Sequence, residues 1–159
     1  MSTSTPNTPI ALVTGGSRGL GKNTALHLAK NGSDVILTYR SQATEAQAVV
    51  DQITALGRRA VALQLDTGDS TSFADFAAQV KAALASTWQR ERFDHLVNNA
   101  GVGIHASLME TTEGQFDTLM NIHLKGVFFL TQKLLPLMND GGRIVNLSSG
   151  LARFALPGY

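Results

Sequence analysis

Residues 14–21 read Thr-Gly-Gly-Ser-Arg-Gly-Leu-Gly, a glycine-rich stretch between the apolar run Ile10–Val13 and the periodic segment Gly19–Lys30. The apolar run predicts a strand buried on both faces, and the periodic segment predicts a helix. A helix that follows such a strand directly points unpaired backbone amides and a partial positive charge at the turn. The stretch therefore predicts an anion-binding turn.

The glycines are spaced G-x-x-x-G-x-G, which differs from the G-x-G-x-x-G of the general dinucleotide fingerprint. Glycines at such a turn permit a tight bend, close approach of the backbone to a diphosphate, and close helix–strand packing. An ordinary glycine-rich turn is the alternative, but the position between first strand and first helix favours phosphate binding. The candidate residues are Gly15, Ser17, Arg18, Gly19, Leu20 and Gly21.

Strands and helices alternate along the rest of the chain. Apolar runs predict further strands at residues 35–38, 60–65, 95–97 and 143–147, with helices of one apolar face between them. Such alternation favours a parallel sheet, because each crossover passes over a sheet face. We therefore predict an α/β fold, a doubly wound parallel sheet of Rossmann type truncated after the fifth strand. The fifth strand is then an exposed edge, which favours aggregation.

This domain is predicted to span residues 10–159, behind a disordered tail at residues 1–9 that has no features of a targeting signal. The spacing of Thr112 and Gln115 predicts a capping box before a long periodic stretch, residues 116–135. That stretch is apolar on more than one face, which indicates burial against the sheet and a partner surface. Asp69 or Ser70 is the candidate cap of the preceding helix.

Composition excludes several classes of partner. Thirteen basic and twelve acidic residues leave a net charge of +1, with no long run of like charge, so neither nucleic acid nor an anionic membrane is indicated. No apolar stretch reaches the length of about 20 residues that is needed to span a bilayer. There is no cysteine, and no metal site is predicted, because the four histidines lack metal-ligand spacing. We interpret His27, His95, His105 and His123 as surface or core polar residues and expect a cytoplasmic protein.

Together, the T-G-x-x-x-G-x-G pattern at residues 14–21 and the later Asn-Asn-Ala-Gly run resemble the short-chain dehydrogenase/reductase family, including its 3-oxoacyl-[acyl-carrier-protein] reductase-like and glucose dehydrogenase-like members. The resemblance implies that Asn98, Ala100 and Gly101 line the cofactor cleft, while Asn99 holds the central sheet. A polar turn is the alternative. The family also implies adenine contacts from Asp66 and Thr67, although Asp66 equally suits a turn, and a homodimer or homotetramer packed through the long helix.

The end of the second strand indicates which nicotinamide cofactor is bound. NAD-specific folds usually place an acidic residue there to hold the ribose 2′-hydroxyl, but this chain continues into Tyr39 and Arg40. Without a carboxylate, a 2′-phosphate is not repelled, and Arg40 can pair with it while Arg18 offers a second cation. Either arginine alone would suit a solvated surface equally well. The combination predicts NADP(H).

Family members reduce carbonyl groups with a serine, a tyrosine, a lysine and an asparagine. Ser149, at the end of the fifth strand, resembles the serine, with Ser148 as the competing choice and backbone capping as the structural alternative. Asn121 resembles the asparagine that holds a water in the proton relay; the structural alternative is a mid-helix asparagine that faces solvent.

The family's tyrosine and lysine are expected at positions 162 and 166, beyond the sequence. Tyr159 lies ten residues after Ser149, and we interpret it as a loop residue flanking the substrate pocket; a shortened loop would make it the acid, but without a following lysine. The leading hypothesis is an NADP(H)-dependent oxidoreductase that interconverts a ketone or aldehyde and an alcohol, complete only if the chain continues. The alternative is a non-catalytic dinucleotide-binding regulator or sensor.

Overall fold

Five parallel strands form one sheet in the order β3-β2-β1-β4-β5 in the computed structural model, which describes residues 8–157. The strands are β1 Ile10–Val13, β2 Asp34–Tyr39, β3 Ala60–Gln64, β4 Phe93–Asn98 and β5 Met138–Asn146. After β3 the chain crosses to the other side of β1, so the strand order reverses between β1 and β4. Such a reversal opens a crevice at the carboxyl ends of the strands. The predicted doubly wound sheet is confirmed.

Helices cover both faces of this sheet. Neighbouring residues of a strand point to opposite faces, and accordingly Leu12 belongs to one apolar cluster and Val13 to the other. The first cluster packs against the helices that follow β3 and β4, and the second packs against those that follow β1 and β2. The helices are α1 Gly19–Lys30, α2 Ala43–Ala55, α3 Phe73–Ala83, α4 Glu113–Met120 and α5 Gly126–Leu134.

The long periodic stretch is helical throughout, but a π-helical turn separates its two α-helical parts, α4 and α5. The capping box is confirmed, since the Gln115 amide donates to the Thr112 hydroxyl at 3.2 Å and the Thr112 amide donates to Gln115 Oε1 at 2.9 Å. Between α4 and α5 lies a π-helical segment, Asn121–Lys125, which the apolar period did not predict. Such wide turns are local insertions in a helix and are frequent at functional sites.

The fifth strand begins at Met138, five residues before the predicted start at position 143. Its first half, which includes Gly141 and Gly142, has the composition of a turn. Pairing with β4 overrides that composition, because Phe93 pairs with Met138 and a register irregularity follows before His95 pairs with Arg143. The strand is an edge strand, as predicted.

Two aspartates organise the amino ends of the strands, opposite the crevice. The buried Asp34 accepts hydrogen bonds from the Arg59 amide at 3.0 Å and from Trp88 Nε1 at 2.8 Å. Asp94 accepts from the Ile10 amide at 2.8 Å and forms an ion pair of 3.2 Å with Arg90. These contacts connect the start of β2 to residues 59 and 88, and the start of β4 to residues 10 and 90.

Asp69 caps the short turn before α3, as one of the two predicted alternatives. It accepts from the amide and the hydroxyl of Thr71, at 3.0 and 2.6 Å, and these hydrogen bonds lower the pKa of the exposed carboxyl. Within residues 8–157, no helix combines the length and the apolar character needed to cross a membrane.

Truncating the core should reduce the free energy of unfolding. Phe76 is fully buried between α3 and the sheet, and Phe76→Ala is expected to cost about 3–5 kcal/mol, because both the buried area and the packing are lost. Leu108→Ala is the control, since Leu108 is 91% exposed and should change stability by less than about 0.5 kcal/mol. Urea unfolding followed by circular dichroism measures both; equal losses would contradict the assigned core.

Candidate functional site

A cleft of about 1050 Å³ opens at the carboxyl ends of the strands, where the strand order reverses. Open α/β sheets bind their ligands at this place. The volume lies just above the usual range for small-molecule sites, about 300–1,000 Å³. The cleft is lined by residues from the glycine loop at 15–21, the end of β2 at 38–42, positions 65 and 67, the segment 99–104, the helix face at 119–123 and the segment 147–151.

The glycine loop is held between β2 and β4 by hydrogen bonds. The hydroxyl of Thr14 accepts from the backbone amides of Asn99 and Ala100, at 3.0 and 2.9 Å. In return the Asn99 side chain donates to the Thr14 carbonyl at 2.8 Å. On the other side, the Gly15 amide donates to the Thr38 hydroxyl at 3.1 Å. These hydrogen bonds position the start of the loop relative to β2 and β4.

Two glycines of this loop meet different requirements. A Cβ at Gly21 would overlap the Gly15 carbonyl oxygen, so only glycine lets α1 approach the loop this closely. Gly19 has a φ of +55°, which side chains other than glycine rarely adopt, and it faces open space. The first holds the helix in place, and the second leaves its N-terminus open to a ligand.

The cleft is electropositive on the side of the glycine loop. Arg18 occupies the N-cap position of α1 without bonding to it through its side chain, and the first turn contains no acidic residue, so the helix amides remain available to an anion. Arg18 and Arg40 are exposed and form no ion pair with the described residues. No carboxylate is among the described residues that line the cleft. These features fit a phosphate-rich dinucleotide.

Twelve of the fifteen predicted site residues line this cleft. They are Gly15, Ser17, Arg18, Gly19, Leu20, Gly21, Tyr39, Arg40, Thr67, Ala100, Gly101 and Ser149. The structure does not bring Asn98, Asp66 or Asn121 to the cleft wall.

Asn98 is buried inside the sheet rather than at the cleft. Its amide nitrogen donates to Asn146 at 2.8 Å and to the Thr131 hydroxyl at 3.1 Å, which joins β4 to β5 and to α5. The next side chain, Asn99, lines the cleft and also links β4 to β1. Successive side chains of a strand point in opposite directions, so the two asparagines cannot share one environment.

Asp66 forms a turn, the alternative given by its sequence context. Its carboxylate accepts from the Gly68 amide at 2.9 Å, and the side chain is exposed. Thr67, which follows it, lines the cleft.

Asn121 does not line the cleft, whereas Leu119, Ile122 and His123 do. A helix advances about 100° per residue, so positions two apart lie on nearly opposite faces. His123, interpreted as a surface or core polar residue, is exposed and is the polar side chain that this helix contributes to the cleft wall. No metal-ligating cluster of three or more residues occurs within residues 8–157.

Both candidate serines line the cleft beyond β5. Ser149 caps the short turn Gly150–Ala152, accepting from the Leu151 amide at 3.2 Å, which leaves its own hydroxyl hydrogen available to a ligand. Ser148 makes no comparable contact among the described residues. Tyr159 lies outside the described residues.

Other lining residues were not singled out by the sequence. They include Ser41, Gln42, Val102, Gly103, Ile104, Leu119 and Ile122. Most of them directly follow a predicted motif. The signal that could have identified them is their position just after the end of a strand.

A family model described as short chain dehydrogenase matches residues 9–159. The chain is 37% identical over 153 residues to the 3-oxoacyl-[acyl-carrier-protein] reductase FabG of Staphylococcus aureus, covering 95% of this chain and 60% of that protein. It spans between 52% and 60% of the length of the curated relatives it matches.

Two solved structures are similar to this chain in both sequence and fold. A short chain dehydrogenase from Burkholderia cenocepacia in complex with NADP is 40% identical, with a TM-score of 0.85 over 94% of this chain and 59% of the other. The landomycin C-6 ketoreductase LanV, with bound NADP and rabelomycin, is 37% identical, with a TM-score of 0.90 over 94% of this chain and 61% of the other.

Removing the Thr14 hydroxyl should destabilise the fold at the cleft. Thr14→Val keeps the shape but leaves the Asn99 and Ala100 amides without their acceptor, and it is expected to lower the free energy of unfolding by about 1–3 kcal/mol. Thr14→Ser, which retains the hydroxyl, should lose clearly less. Urea titration of both variants measures the difference. If Val and Ser cost the same, the hydroxyl is not what holds the loop.

Proposed function

The chain belongs to the short-chain dehydrogenase family, and we propose that it binds NADP(H) in the cleft as part of an oxidoreductase that interconverts a ketone or aldehyde and an alcohol. The observation that carries the proposal is the combination of an open helix N-terminus with two arginines, Arg18 and Arg40, that form no ion pair with the described residues, in a cleft whose described wall has no carboxylate. An anionic ligand with several phosphates satisfies all three features.

The preference for a 2′-phosphate follows from Arg40 and its neighbours. A charge-assisted hydrogen bond from a guanidinium to a phosphate is about twice as strong as a neutral one. Arg40 follows β2 directly, and Ser41 beside it also lines the cleft. Two similar structures contain NADP, which supports the same choice for this chain.

Bound nicotinamide supplies the hydride, and the chain's residues orient the carbonyl group. The Ser149 hydroxyl lies on the cleft wall with its hydrogen uncommitted, so it can donate to the carbonyl oxygen as negative charge develops there. Ser148 is the alternative donor. We assign proton delivery to the tyrosine and lysine expected at positions 162 and 166, so the complete reaction belongs to a chain that carries them.

An exposed apolar surface suits a second copy of the chain. Phe116, Met120, Leu124 and Phe128 follow one another at intervals of four residues, and their side chains are 38–62% exposed. Exposed apolar patches of this kind mark interaction sites. We propose a homodimer or homotetramer formed through this surface. The small-molecule substrate and the cytoplasmic location stay predictions.

Arg40→Ala should discriminate between the two nicotinamide cofactors. Loss of one charge-assisted contact is expected to weaken NADPH binding about 10- to 100-fold while leaving NADH binding nearly unchanged. Fluorescence titration of the 159-residue chain measures both dissociation constants. Arg92→Ala is the matched control, since Arg92 is not in the cleft wall. Equal weakening for both cofactors would overturn the 2′-phosphate assignment.

Ser149→Ala should reduce turnover without reducing cofactor affinity. Removing a donor to the developing oxyanion is expected to lower kcat about 10²- to 10³-fold. The assay follows loss of NADPH absorbance with a panel of ketones and aldehydes, using a chain that carries a tyrosine and a lysine at positions 162 and 166. Ser148→Ala is measured in parallel, and a larger loss of kcat for that variant would assign the donor to Ser148 instead. Tight NADPH binding with no turnover of any substrate would favour the non-catalytic alternative.

A further inference from the structure

Three successive carbonyl oxygens at the end of β2 are bonded to different parts of the molecule. The Thr38 carbonyl accepts from an amide of the glycine loop at 2.8 Å, and the Tyr39 carbonyl accepts from the amide that directly follows β3 at 2.9 Å. The next carbonyl, that of Arg40, accepts from the side-chain amide of Gln64 at 2.9 Å. The strand ends at Tyr39, so a side chain of β3 binds the first carbonyl beyond it.

Gln64 lies at the edge of the sheet. It is the last residue of β3, an edge strand, and it stands opposite Tyr39 in the register of the two strands. Its side chain is exposed, and it is not part of the cleft wall. The hydrogen bond joins residues that are 24 positions apart. It therefore constrains the chain just beyond β2 from outside the cleft.

The bonded carbonyl belongs to the residue whose guanidinium we assign to the 2′-phosphate. Arg40 is exposed, lines the cleft and forms no ion pair with the described residues. A long side chain without a partner loses rotational freedom when it binds a ligand. Binding is therefore stronger when the backbone that carries the side chain is already in place. The amide of Gln64 holds that backbone at the carbonyl of Arg40 itself.

We propose that Gln64 is a positioning residue for cofactor choice: its side-chain amide holds the backbone of Arg40 where the guanidinium can bind the 2′-phosphate of NADP(H). This inference rests on the proposed function, because the 2′-phosphate is the ligand group concerned. NADH lacks this phosphate, so its affinity does not depend on where the guanidinium lies. Gln64 therefore acts on the ratio of the two cofactor affinities rather than on dinucleotide binding in general.

Gln64→Met tests the role of the side-chain amide, because methionine retains the length of the side chain and lacks the donor. The variant is expected to raise the NADPH dissociation constant about three- to tenfold, the effect of one neutral hydrogen bond, and to leave the NADH constant within about twofold of the wild type. Fluorescence titration of the 159-residue chain measures both constants.

Gln52→Met is the matched control. Gln52 is also exposed and also donates its side-chain amide to a backbone carbonyl, that of Ala48 at 3.0 Å, but within α2 and away from the cleft wall. This variant should leave both dissociation constants unchanged. A selective loss of NADPH affinity in the control as well would overturn the inference, because the effect would not then depend on the bond to Arg40.

A double variant tests whether Gln64 acts through Arg40. Adding Gln64→Met to Arg40→Ala should cause no further loss of NADPH affinity, because the guanidinium that the bond positions is already absent. Equal losses in the two backgrounds would overturn the inference, as would equal weakening of NADPH and NADH binding by Gln64→Met.

The same titrations separate this inference from the proposed function. If the NADPH preference depends on Arg40 and survives Gln64→Met, the inference alone is wrong. If the wild-type chain binds NADH as tightly as NADPH, the proposed recognition of the 2′-phosphate is wrong, and the inference is wrong with it.

Discussion

The hydroxyl of Thr14 joins the two strands between which the sheet reverses its order. It accepts hydrogen bonds from the backbone amides of Asn99 and Ala100, and these bonds hold the end of β1 next to the end of β4. The glycine loop starts at this point and leads directly into the N-terminus of α1. The centre of the cleft is therefore shaped by this hydrogen-bonded junction between two strands, and the surrounding loops form the rest of its wall.

Charge is distributed unequally between the two ends of the sheet. At the amino ends, Asp34 and Asp94 accept hydrogen bonds from backbone amides and pair with arginines, so their negative charge is compensated within the protein. At the carboxyl ends, Arg18 and Arg40 have no such partner among the described residues. Compensated carboxylates stabilise the fold at one end, and the uncompensated cations at the other are available to a ligand.

Apolar periodicity predicted the alternation of strands and helices and hence the parallel sheet, because burial repeats with the geometry of each element. It placed the start of β5 too late, since Gly141 and Gly142 resemble a turn and only pairing with β4 makes them a strand. Side-chain direction was harder to predict. The positions of Asn98 and His123 depend on strand alternation and on a π-helical turn, and neither leaves a signal in composition.

Trp88 gives the chain an intrinsic optical probe. It is the single tryptophan of the sequence, it is 5% exposed, and its indole lies between Asp34 and the guanidinium of Arg59 at the end of the sheet opposite the cleft. Its emission therefore reports on the integrity of the folded core at the end of the sheet opposite the cleft. Unfolding exposes the indole to water and ends its contact with Asp34, so the emission of this one residue follows the loss of the fold without an added label.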